Sequence, residues 1–240
     1  MPLARLPFLF LALLLTACAP DLDKFLQPLA DVARSAVDES DARVNRAYGF
    51  LKHDVAPLPH MARAAAGEKI SGEDLTWGST PFIAVGVTDT GGKLMGAFPR
   101  AGDGIADLLT QLAQGPELGD LTIIPNTFNF TLGLNAPLEN GTVTALLDVE
   151  QVLLRDVLHP AAATAGGFAF LANHDRRVIL ATRSSLAGSA LKTWNIPAPN
   201  PGEERVANIT VDGDSYHVAT AASSQGNGWI IGVAAPNQTP

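Results

Sequence analysis

The chain has 240 residues, 47% of them hydrophobic, and a formal net charge of −8 from 16 Lys and Arg against 24 Asp and Glu. That is enough apolar material for a real core, in one large domain or two small ones. An acidic surface is repelled by phosphate backbones and anionic headgroups, which argues against nucleic acid as a partner. Cys18 is the single cysteine, so no intrachain disulfide is possible.

The opening "MPLARLPFLFLALLLTAC" has one Arg, an apolar stretch from Leu6 to Leu15 and small residues around Ala17. This is how a secretory signal over residues 1–17 reads. Leu15-Thr16-Ala17-Cys18 resembles the lipobox of bacterial lipoproteins, in which the cysteine becomes residue one and carries lipid such as palmitate. The resemblance implies a chain anchored to a membrane through lipid on Cys18, on the periplasmic side, since several acyl chains anchor durably without a spanning helix. Ala19 follows where an Asp would favour the inner membrane, so the outer membrane is favoured. Loss of Arg5 with the signal would take the net charge to −9.

After a tether at 18–27, residues 28–69 read as a helical region. Leu29, Val32, Ala33, Ala36, Val37, Val44, Ala47, Tyr48 and Leu51 recur at helical steps and predict one long helix over 28–53. "DESDARVNR" reads as its solvated face, and Pro57 and Pro59 end it. From Pro81 the period changes to that of strands. "FIAVGVTDTGGKLMGAF" (82–98) is a hairpin in which Gly91 and Gly92 can take positive φ. "GIADLLTQLAQG" (104–115) is a short amphipathic helix, followed by "LTIIP" and by a hairpin of "TFNFTLGLNAPL" and "TVTALLDV". Residues 70–150 form one module and 151–165 the connection to the next, where "VEQVLLRDVLHP" (149–160) reads as a connecting helix and "AAATAGG" then gives slack. Residues 166–240 repeat the order: a hairpin at 168–182, a helix at 184–194, then "RVANITV", "SYHVATAA" and "GWIIGVAA".

The repeated order, hairpin, helix, then antiparallel strands, resembles extracytoplasmic Cache domains, the PAS-like sensor domains. "GGFAFLANHDRRVILATRSSLAGSAL" and "YHVATAASSQGNGWIIGVAAP" carry the likeness most clearly, with "FIAVGVTDTGGKLMGAF" and "NAPLENGTVTALLDVEQVLL" as their counterparts in a membrane-distal module. The resemblance implies an α+β fold: a long N-terminal helix followed by two PAS-like antiparallel-sheet modules in tandem, a double Cache, the alternative being one enlarged Cache domain. It also implies a sensor that binds a small metabolite and signals through a partner. Because the sequence ends at Pro240 with no second span and no signalling domain, a membrane signalling partner or another envelope protein is expected to read it. The alternative function is a non-catalytic structural or assembly lipoprotein, with the long helix as its docking surface.

No catalytic set is apparent. There is no Gly-x-Ser-x-Gly elbow, and the five histidines lack metal-ligand spacing. "DGDS" (212–215) starts like a calcium loop but has Ser223 where its last glutamate belongs, so it reads as a hairpin turn. An enzyme, a metal and a cofactor are therefore not expected. In Cache domains the ligand pocket lies between the sheet and the helix-loop layer of the distal module. That resemblance points to Phe98, Arg100, Asn126, Phe128, Asn129, Phe130 and Asn135, with Trp77 as a pocket wall or an edge cover. Arg100 could fork onto a carboxylate or phosphate, which would make the ligand an anion, or be a solvated loop charge. The phenylalanines are equally explained by core packing, whereas each buried asparagine amide needs partners. The Tyr/Arg/Trp cluster of amino-acid-binding double Cache receptors is not found.

Overall fold

The computed structural model describes residues 22–68, 80–98, 103–124, 129–225 and 227–237. Helix α1, Leu22–Phe50, begins earlier than the expected residue 28, so Pro28 lies inside it and part of the expected tether is helical. It runs on through a wider turn at Leu51–Val55, where the Ala56 amide donates to the Leu51 carbonyl at 2.8 Å. Leu29, Ala33, Ala36, Val37, Val44, Ala47 and Leu51 are buried, the single stripe that their spacing predicts. The short α2, Pro59–Ala65, starts on a proline whose missing N–H would have had no partner there.

Two five-stranded antiparallel sheets follow. The first contains β1 (Phe82–Asp89), β2 (Leu94–Phe98), β3 (Leu118–Ile123), β4 (Phe130–Leu138) and β5 (Gly141–Asp148), in the order β2-β1-β5-β4-β3. Helix α3, Asp103–Leu112, stands between β2 and β3. The second sheet contains β6 (Phe168–Ala172), β7 (Val178–Ala181), β8 (Glu204–Val211), β9 (Asp214–Ala222) and β10 (Ile230–Pro236), in the order β7-β6-β10-β9-β8. The two orders are the same. This is the α+β tandem that the repeat implies.

The repeat extends to the register. In the first sheet Ala84 pairs Leu146 and Val85 pairs Ala145. In the second, 86 residues on at both partners, Phe170 pairs Gly232 and Leu171 pairs Ile231. Both sheets turn corresponding residues inward: Val85, Leu134, Ala145 and Leu147 of the first, and Leu171, Ala221, Ile231 and Val233 of the second, are buried in one continuous core with the α1 stripe. A sheet that alternates cleanly in this way has only one register that keeps its apolar set inside.

Three local expectations are corrected. Only Gly92 has positive φ in the first hairpin, at 81°, because the Asp89 side chain closes the turn by accepting from the amides of Gly91 and Lys93 at 2.9 Å each. The Ala-rich stretch expected as slack is helix α4, His159–Ala165, preceded by a wide-turned segment Glu150–Leu158 and ended by Gly166 in the left-handed conformation. Alanine's helix propensity outweighs its small size. The helix expected over 184–194 is instead two 3₁₀ turns, Ser184–Leu186 and Leu191–Trp194, on either side of Gly188 at φ 78°.

Candidate functional site

The inner faces of the two sheets are alike, and the outer faces are not. On the second sheet Phe168, Phe170, Val178, Tyr216 and Val218 fill the outer face. Phe170 lies over Gly232, where a β-carbon would come within 2.0 Å of the ring. A face packed this way needs only the two 3₁₀ turns to cover it. On the first sheet the outer face is lined by Ala84, Gly86, Gly133 and Leu146, and the three small residues, Ala84, Gly86 and Gly133, leave a trough that α3 enters. A β-carbon on Gly86 would stand 3.0 Å from Leu109 Cδ1, and one on Gly133 would stand 2.9 Å from Leu112 Cδ1. The first module is thus the one whose sheet has room for something other than its own side chains, and at the described residues α3 takes that room.

Asn135 fixes α3 there. It is buried, donates to the carbonyls of Leu112 at 2.7 Å and Pro116 at 2.9 Å, and accepts from the Thr144 hydroxyl at 2.7 Å. Its own backbone amide donates to the Glu117 carbonyl at 2.8 Å. The carbonyls at a helix C-terminus have no partner within the helix, and here a side chain of the sheet supplies one. Asn135 therefore serves as a latch on α3.

The other candidates separate. Phe98 and Phe130 are half-buried and pack on the inner core, across the sheet from Asn135. They sit at one end of the sheet, because Phe98 pairs Val85 near the start of β1 and Phe130 opens β4 beside Ile123 at the end of β3. Three strand spacings separate β2 from β4, roughly 14 Å. β2 and β3 both end at this same end of the sheet, and the Asn129 carbonyl accepts from Ile124 N at 2.9 Å there. Cys18, Trp77, Arg100, Asn126 and Phe128 lie outside the described residues.

Several contacts that position this framework gave no sequence signal. Asp41, within the stretch expected to be solvated, is buried and accepts from Ser223 Oγ at 2.7 Å and Asn227 Nδ2 at 2.9 Å, which holds the chain between β9 and β10 against α1. Arg34 donates to Glu204 Oε1 at 2.8 Å and to the carbonyls of Gly202, Glu203 and Ala222. The Tyr48 phenol donates to Glu117, tying α1 to the chain before β3; burial, and then this bond, push its pKa up to about 12. Among the described residues no three His, Cys, Asp or Glu side chains gather as metal ligands, and no helix is long and apolar enough to cross a membrane.

Solved structures similar to this chain are ligand-binding domains of bacterial chemoreceptors. The domain of Pseudomonas fluorescens chemoreceptor CtaA, in complex with L-isoleucine, is 20% identical with a TM-score of 0.61, over 92% of this chain and 95% of that one. The domain of the Pseudomonas aeruginosa amino acid chemoreceptor PctB, in complex with L-Arg, is 16% identical with a TM-score of 0.55, over 90% and 96%. The domain of Campylobacter jejuni chemoreceptor Tlp3, in complex with 4-methylisoleucine, is 12% identical with a TM-score of 0.58, over 94% and 97%. At these identities the likeness establishes the fold, which is that of tandem Cache-type sensor domains. No family model and no curated protein matches the sequence.

Proposed function

We propose that the chain is an extracytoplasmic small-molecule sensor, non-catalytic, held to the periplasmic side of a bacterial membrane by lipid on Cys18 and read by a membrane partner. The observation that carries this reading is the contrast between the outer faces. The proximal module fills its own with Phe168, Phe170 and Tyr216, while the distal one keeps small residues beneath a single latched helix. Binding pockets favour such a scaffold, with a few polar groups placed at its mouth. The ligand site is then the sheet end from which both distal loops depart, with Arg100 as the charge that selects an anion, and Trp77, Phe98, Asn126, Phe128, Asn129 and Phe130 around it.

The test is a thermal-shift screen of residues 21–240 against organic acids, amines, purines and sugars. A ligand at a hundred times its Kd adds about 2.7 kcal/mol, which for a chain of this size raises Tm by about 5–10 °C. An anion should give that shift and Arg100→Ala should abolish it without unfolding the protein. If the variant binds as well as the parent, the site assignment is wrong.

A second reading, a structural or assembly lipoprotein, is favoured by α3 itself, because Leu109 and Leu112 already occupy the trough over Gly86 and Gly133. Silence of well-folded protein across the whole screen would select it. Against it, α1 buries one stripe inside this chain, with Asp31 and Arg46 exposed on its other side.

A further inference from the structure

Helix α1 and the connection between the modules lie side by side, and a groove of about 250 Å³ runs between them. Val32, Ser35 and Ala36 line it from α1, and Val157, Ala161 and Thr164 line it from the connection. The spacing of these residues makes the groove roughly two helical turns long. Ala36, Val157 and Ala161 are buried in its floor. Val32, which the helical period assigns to the buried stripe of α1, packs on the core yet stays half-buried, because the groove opens beside it. Ser35 and Thr164 are short and exposed, and the Thr164 hydroxyl donates back to the Pro160 carbonyl at 2.9 Å, so it asks for no partner in the groove. Such a floor suits the apolar edge of a helix, whose side chains at i, i+3 and i+4 enter between the walls.

Charge decides what kind of helix fits. Glu39 and Asp156 close one end of the groove, bridged by Arg43, whose Nε lies 2.7 Å from Glu39 Oε1 and whose Nη1 donates to Asp156 Oδ2 at 3.0 Å. Arg46 also donates to Glu39, at 3.1 Å, so that end is neutralised from within the chain. The flank beside Ser35 is not. Asp31 and Asp38 are exposed there, with no ion pair to either among the described residues, and Asp31 accepts from a neutral donor, Gln27 Nε2, at 3.0 Å. Arg34, which shares that flank, is spent on Glu204 and on the carbonyls of Gly202, Glu203 and Ala222. A second copy of this chain would bring the same acidic flank, and a two-fold contact would set like charges together. Anionic lipid is repelled for the same reason.

We propose that this groove docks a basic amphipathic helix of the partner that reads the sensor, with the helix's apolar edge on Ala36, Val157 and Ala161 and its lysines or arginines on Asp31 and Asp38. The inference rests on the partner-read sensor proposed above and supplies that partner's chemistry, while its surface is separate from the ligand site. Two turns admit one or two apolar anchors, which suits a contact that forms and releases.

The experiment uses the full chain and a labelled peptide of about 15 residues, long enough to form a helix on binding, built from Leu, Ala and Lys with its leucines along one edge. Fluorescence anisotropy should show saturable binding that weakens with salt. A peptide of the same composition with the leucines spread around the helix should bind at least about tenfold more weakly. Ser35→Trp and Thr164→Trp, at exposed positions on opposite walls, fill the groove and should each cost about tenfold or more with Tm unchanged. Joint Asp31→Asn and Asp38→Asn should cost about three- to tenfold and flatten the salt dependence. The proposal is overturned if the reordered peptide binds as tightly, if both tryptophan variants bind as the parent does, or if nothing saturates up to about 1 mM. Self-association of the parent that Ser35→Trp abolishes would overturn it too, by making the occupant a second copy. The ligand site fails or stands separately: an anion-induced thermal shift that depends on Arg100 should persist in both tryptophan variants, and its absence from the parent would leave the peptide result intact.

Discussion

Asp212 shows what one residue does in the turn that joins β8 to β9. It adopts the left-handed conformation at φ 54°, followed by Gly213 at 92°, the primed geometry that a two-residue hairpin loop requires. Its carboxylate accepts from Ser185 Oγ at 2.7 Å and from Arg183 Nε at 3.1 Å. The Ser185 bond, followed by Arg183, holds its pKa below the usual aspartate value. A pKa depressed on folding contributes stability above the unfolded-state value and loses it as pH falls through the folded one. NMR titration of the Asp212 carboxyl should therefore give a midpoint below about 3.9, and Ser185→Ala should raise it. A midpoint at or above the ordinary value in the parent would refute this account. The turn itself was legible in "DGDS", since Asp-Gly between apolar runs is a turn signal. The bonds to Asp212 were not, because Arg183 and Ser185 lie in another loop. The same holds for Asp41 and Arg34, whose partners are 182 and 170 residues away along the chain.

The elements were legible wherever apolar period and turn residues agreed, which covers α1, α3 and the hairpins. They were misread where the expectation rested on analogy between the modules. The helix expected at 184–194 does not form because the aromatic residues of the second sheet leave no trough for it, as the small residues of the first sheet do for α3. The helix α3 depends on that trough and on Asn135. Asn135→Ala would leave the Leu112 and Pro116 carbonyls without their partner and the Thr144 hydroxyl without its acceptor. The expected loss is about 2–3 kcal/mol, or a fall in Tm of about 4–12 °C, with hydrogen exchange at residues 105–112 accelerating more than in the strands. Unchanged exchange in α3 would show that the latch is not what retains the helix. The candidates of the first module were legible only in part: Phe98 and Phe130 do share one sheet end, whereas Asn135, five residues after Phe130 on β4, falls on the other face by strand alternation, and which face is covered by α3 depends on packing that the sequence does not display.

At the scale of the whole molecule, the two modules are not separable bodies. The stripe of α1 and the inner faces of both sheets form one buried cluster that includes Val152, Leu153 and Val157 of the connecting segment. Unfolding should therefore be a single transition, coincident by circular dichroism and by tryptophan fluorescence; two resolved transitions would mean that the shared core does not couple the halves. The pairing of Phe170 with Gly232 against Ala84 with Leu146 has a further consequence, in evolutionary terms. Each pair joins one large and one small side chain, yet the large one is on opposite strands in the two halves. Neither member can change size alone without a clash or a void, so among descendants of such a sequence positions 170 and 232 should drift together, and the volume they share should be inherited more faithfully than either amino acid.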